Sequence, residues 1–376
     1  MAFTYPFRKI HCPFCDFEFY PSEAPVVSRV NQGTVLRSVP QRPLERWKSR
    51  VWDKPPSEYK RELASRQCPR CSNLLPPNIE QVDENIIVAI IGDTFSGKSH
   101  YIAALIDQLK RVQLLERFFH VMPASPDVEK SYQNLFYRPL FKQQREIQLT
   151  APVQSIINEP LIYQIELGET ANRPKQRINL LIYDASGEEW AAQITLMRFK
   201  SHILNARAII FLADPWTMPD FLDRLAHHLR PDPNAVTGRM SSEVLASVVQ
   251  TFQYNNNELA IASEFPLPVA IALSKADLIP HLQTLGTEYG FLADPSNQRD
   301  PNARDTEIID QWVRKLLSQL KEEHLLGLAR GFRTAKFFAI SATGSSVDAQ
   351  GKFASVKPHR CLDPLFWIFR ELDILD

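Results

Sequence analysis

Three features are missing from this sequence, and each absence narrows the function. Its 376 residues carry 43 basic and 43 acidic side chains, so no net charge draws the chain to nucleic acid or to an anionic membrane. No apolar run approaches the roughly 20 residues that span a bilayer. The N-terminus, MAFTYPFRKIHCPFC, lacks the apolar core of a signal peptide. We therefore expect a cytoplasmic protein without a membrane span.

Cysteine is also scarce, but four of the five cysteines are spaced as two matched pairs. They form Cys12-Pro-Phe-Cys15 and Cys68-Pro-Arg-Cys71. Each C-P-x-C is a tight turn that presents two thiolates to one ion, and two such turns complete a tetrahedral, structural Zn²⁺ site. Two disulfides are the alternative, which a cytosolic compartment disfavours. A redox C-x-x-C would need only one pair, beside a βαβ pattern that this segment lacks. Cys361 stands alone among apolar neighbours, which is typical of an inert core thiol.

Proline is unevenly distributed, because eleven of the 28 prolines lie within the first eighty residues. Such a segment is not expected to be as rich in helices and strands as the rest. We predict two domains: a zinc-ribbon-like module over residues 1–80, with a long insertion between its knuckles, and a larger domain over residues 81–376. Basic residues and tryptophans in the insertion either contact nucleic acid or an acidic partner, or form a solvated loop, which nearby acidic residues favour. They are Arg42, Arg46, Trp47, Lys48, Arg50, Trp52 and Lys54.

A phosphate-binding motif stands at the start of the larger domain. A buried-strand run, Ile86–Ile91, leads into Gly92-Asp-Thr-Phe-Ser-Gly97-Lys98-Ser99, and a helical pattern follows. This is G-x-x-x-x-G-K-[ST] in its strand–loop–helix setting. The glycines let backbone N–H groups wrap a phosphate, Lys98 can reach the β- and γ-phosphates, and the Ser99 hydroxyl can bind Mg²⁺. The sequence predicts that the chain binds a nucleoside triphosphate.

Apolar runs alternate with helical patterns after this loop, which predicts an α/β fold with helices on both faces of the sheet. The six predicted strands are Ile86–Ile91, Leu161–Leu167, Ile178–Tyr183, Ala208–Ala213, Val269–Leu273 and Lys336–Ile340. An amphipathic segment, Pro364–Ile374, is expected to dock through Leu365, Ile368, Phe369 and Leu372. Added helical material at Met218–Leu229, Ser241–Phe252 and Thr306–Leu328 forms either a partner-binding surface or lid, or only a thicker shell.

Three further motifs follow predicted strands. Asp184-Ala-Ser-Gly187 places a carboxylate that can hold Mg²⁺ and a backbone N–H that can meet a γ-phosphate. Ser274-Lys-Ala-Asp277 offers a carboxylate to N1–H and the amine of guanine, with Lys275 over the base plane. Ser341-Ala-Thr343 can present a backbone N–H to the guanine O6. The order and placement of all four motifs predict a guanine nucleotide, GTP or GDP.

These motifs resemble those of the Ras-like, translation-factor class of GTPases, which carry G-x-x-x-x-G-K-[ST], a switch threonine, D-x-x-G, [NT]-K-x-D and S-A-x in this order. The combination of zinc knuckles, the D-A-S-G-E-E segment and large insertions is similar to the bacterial double-GTPase proteins. This resemblance implies a Ras-like P-loop GTPase domain with a six-stranded, mostly parallel sheet. It also implies a molecular switch in a bacterial conflict or defence system, with GTP and Mg²⁺ bound and a protein effector or regulator as partner.

The resemblance also assigns roles by position. The phosphate loop is Gly92, Asp93, Ser96, Gly97, Lys98 and Ser99, the sensor is Asp184 and Gly187, and the guanine pocket is Ser274, Lys275, Asp277, Ser341 and Ala342. Ser274 stands where Asn or Thr is usual, which shortens one tether to the P-loop. Glu188 replaces the glutamine that orients the attacking water. A carboxylate cannot donate a hydrogen bond to the γ-phosphate and repels it, so we expect slow hydrolysis that a partner or another residue assists.

The switch I threonine is less well marked than the other motifs. Thr150 is the best candidate by position to contact Mg²⁺, whereas Thr170 follows the second predicted strand and is interpreted as a turn residue. His227 and His228 with Asp223 suggest a metal site, but without a third spaced ligand we interpret them as solvated histidines.

Two other functional classes compete with a GTP-dependent switch. One is a P-loop ATPase or kinase-like phosphotransferase, for which Glu188 is the obvious base. The other is a zinc-dependent nucleic-acid-binding protein with a regulatory GTPase, which would show a steep fall of binding with salt. The sequence does not predict the oligomeric state.

Overall fold

The protein is described from a computed structural model. It covers residues 9–15, 17–30, 35–38, 65–76, 79–112, 119–147, 160–170, 173–184, 206–231, 239–255, 264–294, 303–348 and 350–375. The aromatic and basic residues between Arg42 and Lys54 lie outside this set. Within it, no helix is both long and apolar enough to cross a membrane.

The described residues of the N-terminal segment form five short strands. Two of them pair as an antiparallel ribbon, and three form a small antiparallel sheet in the order β4-β3-β5. These strands are β1 (Ile10–His11), β2 (Glu18–Phe19), β3 (Val26–Val30), β4 (Val35–Ser38) and β5 (Ser65–Arg66). The proline-rich composition therefore limits strand length without abolishing strands, and the domain boundary near residue 80 stays a prediction.

A seven-stranded sheet organises the rest of the described chain. Its order is β12-β11-β10-β6-β9-β8-β7, parallel from β12 to β9 and antiparallel across β8 and β7. The strands are β6 (Glu84–Gly92), β7 (Phe119–Pro123), β8 (Leu161–Leu167), β9 (Gln176–Asp184), β10 (Ala208–Ala213), β11 (Val269–Leu273) and β12 (Ala335–Ala339). Parallel strands end at a common edge, so the carboxyl ends of five strands meet there.

All six predicted strands are present, and the mostly parallel sheet is confirmed. The seventh strand, β7, was not predicted. It lies at the sheet edge, pairs only with β8, and buries Phe119 alone, so its residues show no strand periodicity.

Helices cover both faces of the sheet, as predicted. They are α1 (Lys98–Arg111), α2 (Pro126–Tyr132), α3 (Pro219–Arg224), α4 (Ser241–Asn255), α5 (Gly286–Tyr289), α6 (Ala303–Gln319), α7 (Glu323–Ala329) and α8 (Asp363–Glu371). A π-helix over Gln133–Lys142 continues α2, and short 3₁₀ turns include Pro215–Thr217, His227–Leu229 and Ala276–His281.

The strands are apolar throughout because alternate residues enter two separate cores. In β6, Val88 and Ile90 join the core with α1 and α8, while Ile87 and Ile91 join the core with α4, α6 and α7. The C-terminal helix docks as predicted: Leu365, Ile368 and Phe369 are fully buried, and Leu372 is partly buried against the same core.

Two of the predicted helical insertions are broken. The Met218–Leu229 segment ends its helix at Arg224 because Leu225 forms a bridge with Leu282. The Thr306–Leu328 segment splits into α6 and α7 at Lys321, whose φ of 61° is left-handed. Ser241–Phe252 lies within α4 as predicted.

The cysteine-containing module packs on the sheet face that carries α4 and α6. Phe14, Phe19 and Leu75 belong to the same buried cluster as Ile87 and Tyr183. Polar contacts extend this junction to the start of the sheet. The Asn85 amide donates to the His11 carbonyl at 2.9 Å, and the Asn179 amide donates to Asn85 Oδ1 at 3.0 Å.

Candidate functional site

The P-loop lies between the end of β6 and the first turn of α1, and its two glycines are required by geometry. A Cβ at Gly92 would lie 2.6 Å from Ser96 Oγ and 2.9 Å from the Leu212 carbonyl oxygen, so no larger residue fits. Gly97 has a φ of 89°, a left-handed conformation that costs L-residues energy, and it caps α1. The Ser96 N–H donates to the Asp93 carbonyl at 3.2 Å within the loop, and the loop leads into the N-terminus of α1, a setting that suits an anion.

Lys98 is buried and folded back on this loop. Its Nζ donates to the carbonyl oxygens of Gly92 at 2.9 Å and Asp93 at 2.7 Å. The ammonium group is thus held at the mouth of the loop, next to Ser99 in the first turn of α1. Among the other predicted phosphate-loop residues, Gly92, Asp93 and Ser96 are also buried, whereas Gly97 and Ser99 are partly exposed.

The loop after β11 reaches across to the P-loop through Lys275. This residue has a φ of 52°, and its Nζ donates to the Phe95 carbonyl at 3.0 Å. Burial lowers the pKa of Lys275, and the neighbouring Asp214 and Asp277 carboxylates oppose that shift. Ser274, in contrast, bonds to β10 rather than to the P-loop, because its Oγ donates to the Ala213 carbonyl at 3.2 Å. The contact with the P-loop that we expected to be shortened at Ser274 is therefore made by the neighbouring Lys275.

Asp277 and the loop after β12 are joined directly. Ser341 Oγ donates to Asp277 Oδ1 at 2.5 Å, and the Gly344 N–H donates to the same hydroxyl at 2.8 Å. The Ala276 N–H also donates to the Ile340 carbonyl at 2.9 Å. Burial raises the pKa of Asp277, whereas the Ser341 hydrogen bond lowers it. The structure thus brings Lys275, Asp277, Ser341 and the adjacent Ala342 together at the carboxyl edge of the sheet.

Two residues of this site were not found from the sequence. Asp214 is 2% exposed, and its Oδ1 accepts from Lys275 Nζ at 2.5 Å and from the Trp216 N–H at 3.0 Å. The Lys275 ammonium also lies 4.0 Å from the centroid of the Trp216 ring. A signal existed, because Asp214 directly follows a buried strand, the same pattern that identified Asp184.

His100 is a third residue that sequence reasoning missed. It follows Ser99 on α1, and its Nε2 accepts the Ile147 N–H at 3.1 Å. Burial, with a smaller contribution from the Lys275 charge, lowers the pKa of His100 to about 4. The neutral ring therefore ties the P-loop helix to the chain segment that leads toward Thr150.

The predicted sensor is described only in part. Asp184 ends β9, and its backbone pairs with Ile90 of the strand that carries the P-loop. Thr150, Gly187 and Glu188 lie outside the described residues. Their predicted roles, and the metal-binding role of the Asp184 side chain, stay predictions.

The four knuckle cysteines converge on one point. Cys12 and Cys71 sulfurs lie 3.7 Å apart, as do those of Cys15 and Cys68, and all four lie within 4.8 Å of one another. A Zn–S bond of about 2.3 Å places the sulfurs of a tetrahedron roughly 3.8 Å apart. The cluster can therefore hold a metal ion. All five cysteines are free, so the disulfide alternative does not describe this structure.

The remaining candidates behave as interpreted from sequence. His227, His228 and Asp223 are exposed. Cys361 is fully buried, and its thiol donates to the Ser341 carbonyl at 3.3 Å. Thr170 Oγ1 accepts the Arg173 N–H at 3.1 Å in the turn between β8 and β9.

The parallel sheet, the P-loop on its central strand, and the Lys-x-Asp and Ser-Ala loops on β11 and β12 define a P-loop domain of the GTPase class, with a Ras-like fold. A sequence profile of the Double-GTPase 2 family matches residues 86–348, and the chain belongs to that family. The domain is therefore a GTP-binding domain.

One curated relative matches nearly the whole chain. It is "Putative ESX-1 scaffolding and assembly protein SaeC" of Mycolicibacterium smegmatis, which is 28% identical over 363 residues and covers 89% of this chain and 88% of the relative.

Two solved structures share weaker similarity. The S. cerevisiae Ski7 GTPase-like domain, bound to GDP and inorganic phosphate, is 14% identical with a TM-score of 0.35 and covers 79% of this chain. The match spans only 52% of that yeast chain. The Arl6 small GTPase from Trypanosoma brucei is 12% identical with a TM-score of 0.29, covering 77% of this chain and 98% of its own.

Proposed function

We propose that this protein is a GTP-binding molecular switch that hydrolyses GTP slowly to GDP and phosphate and signals to a protein partner. One observation carries the proposal: the phosphate loop and the two predicted guanine loops form one hydrogen-bonded site. Lys275 joins Phe95 of the P-loop to the loop after β11, and Asp277 joins that loop to Ser341.

At the phosphate end, the roles follow from the loop geometry. Backbone N–H groups of the loop and of the first turn of α1 would bind the triphosphate, and Lys98 would exchange its two carbonyl acceptors for phosphate oxygens, which bind a cation more strongly. The Ser99 hydroxyl and the Asp184 carboxylate are the groups that would hold Mg²⁺. That ion, when bound, neutralises charge on the phosphates.

At the base end, selectivity comes from the Asp277 carboxylate. Guanine presents N1–H and an amine to it, whereas adenine presents an acceptor that a carboxylate repels. The Ala342 N–H is available to the guanine O6 beside Ser341. Burial of this carboxylate makes the pairing stronger than in water, because a poorly solvated charge gains more from a partner.

Slow hydrolysis is expected from Glu188, with Thr150 and Gly187 completing the predicted site around the γ-phosphate. The switch segments, residues 145–160 and 184–200, would be ordered by GTP and released after hydrolysis. Purified protein that hydrolyses GTP alone as quickly as fast enzymes would contradict this part of the proposal.

A protein partner is supported by the mycobacterial relative, whose name describes scaffolding and assembly. We extend that role to this chain as an assembly switch in a cytoplasmic complex, in place of nucleic acid or a membrane as partner. A place in a bacterial conflict or defence system rests only on the family resemblance. The cysteine cluster would hold a structural Zn²⁺, because four sulfur ligands leave no open position for catalysis.

Nucleotide identification in freshly purified protein tests the proposal. Mass spectrometry of the denatured supernatant should release GDP or GTP from the wild type, and little nucleotide from a Lys98→Ala variant. Recovery of ATP or ADP instead would favour an ATPase or a phosphotransferase. Salt-sensitive binding to RNA or DNA without guanine nucleotide would favour the nucleic-acid alternative.

A further inference from the structure

Arg239 is a charged residue beside the P-loop that no motif identified. It directly precedes Met240 and α4, and its backbone N–H donates to Asp93 Oδ2 in the P-loop. Its guanidinium Nη2 is buried and has no hydrogen-bond partner within the described part of the chain. A guanidinium nitrogen without a partner is costly to bury, so this arrangement indicates that an anion completes it.

Two carboxylates near Arg239 in the described part of the chain are already engaged. Asp214 binds Lys275 and the Trp216 N–H, and the Asp93 carboxylate accepts the Arg239 backbone N–H. A phosphate bound in the P-loop is an anion with which this guanidinium can pair. Arginine suits such a ligand because its planar donors pair with two phosphate oxygens.

The backbone that follows Arg239 is held by two sets of hydrogen bonds. The Met240 carbonyl accepts the N–H groups of Glu243 at 2.9 Å and Val244 at 3.2 Å, which starts α4. Ser241 Oγ accepts the Asp214 N–H at 3.0 Å, which ties the helix start to the end of β10. The Arg239 side chain therefore starts from a backbone position that contacts the P-loop through Asp93.

We propose that Arg239 is a catalytic residue that contacts the γ-phosphate in the transition state, acting as an arginine supplied by the chain itself. The inference rests on the proposed GTPase function and deepens it. The water oxygen bonds to the γ-phosphorus, and the bond from phosphorus to the β–γ bridging oxygen breaks. That oxygen keeps the electron pair on GDP, and the water proton leaves with the phosphate product. Arg239 stabilises the charge that grows on the bridging and γ-oxygens.

This role also compensates for the predicted effect of Glu188, whose carboxylate, if it lies beside the γ-phosphate, would add negative charge where the reaction already concentrates it. An arginine in cis supplies compensating charge without a partner. GTPases with such an arginine hydrolyse GTP at roughly 10⁻² s⁻¹, which is still slow.

The test compares Arg239→Ala and Arg239→Lys with the wild type, and uses Arg330→Ala as a matched control. Arg330 is exposed just after α7, remote from the P-loop in the sequence. Alanine at 239 keeps the backbone N–H that binds Asp93, so the loop contact survives. Three quantities are measured: the Kd for GDP, the single-turnover rate of GTP hydrolysis, and formation of a complex of GDP with aluminium fluoride and Mg²⁺, which mimics the transferring phosphoryl group.

Arg239→Ala should bind GDP with a Kd within about threefold of the wild-type value. It should not form the fluoride complex, and its rate of GTP hydrolysis should fall by about 100-fold. Arg239→Lys should restore only part of the rate, and Arg330→Ala should match the wild type. The inference is overturned if Arg239→Ala forms the fluoride complex as the wild type does, or if the wild type binds GDP and forms none. A wild type that binds no guanine nucleotide instead overturns the proposed function itself.

Discussion

Asp277 is the residue on which base selectivity depends most directly. Replacing it with Asn keeps the shape and the Ser341 contact but removes the charge that guanine N1–H and the amine require. Two charge-assisted hydrogen bonds are worth about 1.5–3 kcal/mol each, so GTP affinity should fall by on the order of 100-fold or more. Xanthosine triphosphate, whose oxygen replaces the amine, should then bind better than GTP. Competition with a fluorescent guanine nucleotide measures both, and an unchanged preference for GTP would rule out guanine recognition by Asp277.

Asp214 should matter for stability as well as for nucleotide binding. It is buried and balances the Lys275 ammonium, which lies largely inside the protein. Asp214→Asn leaves that charge without its partner, and breaking a buried pair in this way costs about 3 kcal/mol. Urea unfolding measures the loss, with Asp223→Asn as a control because that side chain is exposed. A change below about 0.5 kcal/mol would show that solvent, not Asp214, balances Lys275.

The sequence identified the residues whose chemistry is encoded in short motifs, and it missed those whose role depends on long-range contact. Lys98, Lys275 and Asp277 stand at fixed spacings that phosphate and base recognition demand. Asp214 and Arg239 act on the P-loop from other strand and helix ends, so no local spacing marks them. Asp214 pairs with Lys275, and the Arg239 N–H reaches Asp93, only when β10 and α4 lie beside β6.

At the level of elements, Glu322 precedes the first residue of α7 and is buried near another acidic residue, Asp220. Burial, and then the nearby charge of Asp220, raise the pKa of Glu322 to about 7. A carboxyl whose pKa is raised on folding favours the folded state below its unfolded pKa near 4.5, and that contribution is lost as pH rises through 7.

Glu322→Gln should therefore stabilise the protein at pH 8 by about 1 kcal/mol, allowing for solvent screening, and have little effect at pH 4.5. The substitution removes no helix-capping interaction, because the Glu322 side chain makes no capping hydrogen bond. Denaturant unfolding at both pH values measures the difference, with Glu323→Gln as the exposed control. Equal stability of variant and wild type at pH 8 would contradict the assignment.

The elements themselves were predictable where burial imposes a pattern on them. Strands buried on both faces must be apolar along their length, and β6, β10 and β11 were read correctly for that reason. Strand β7 was not predicted because it pairs with β8 alone and buries little of its surface. The first long helical segment ends where Leu225 pairs with Leu282, and the second is interrupted by a left-handed turn at Lys321. Neither break can be predicted from the type of residue at that position.

At the scale of the whole molecule, the cysteine cluster should govern more than the N-terminal segment. We expect one zinc per chain, and zinc removal by a chelator should lower the thermal midpoint by roughly 5 °C or more, because the module shares a core with Ile87 and Tyr183. Cys71→Ser should lower zinc content, whereas Cys361→Ala should not. Elemental analysis and thermal unfolding provide the measurements. If the purified protein contains no zinc, or if its thermal midpoint does not change on chelation, the cysteine cluster does not bind a structural metal.

The packing of the module on Tyr183 also sets an order of events during synthesis. Cys12 to Cys71 leave the ribosome well before β9 exists, and nascent domains begin to fold from the N-terminus. The two knuckles can close on their metal first, but Phe14, Phe19 and Leu75 stay partly uncovered until the rest of their buried cluster, which includes Ile87 and Tyr183, has been made. The nascent chain thus carries a folded cysteine-containing module with an exposed apolar side. This module completes its packing only when β9, the strand that leads to the predicted nucleotide sensor, has been synthesised.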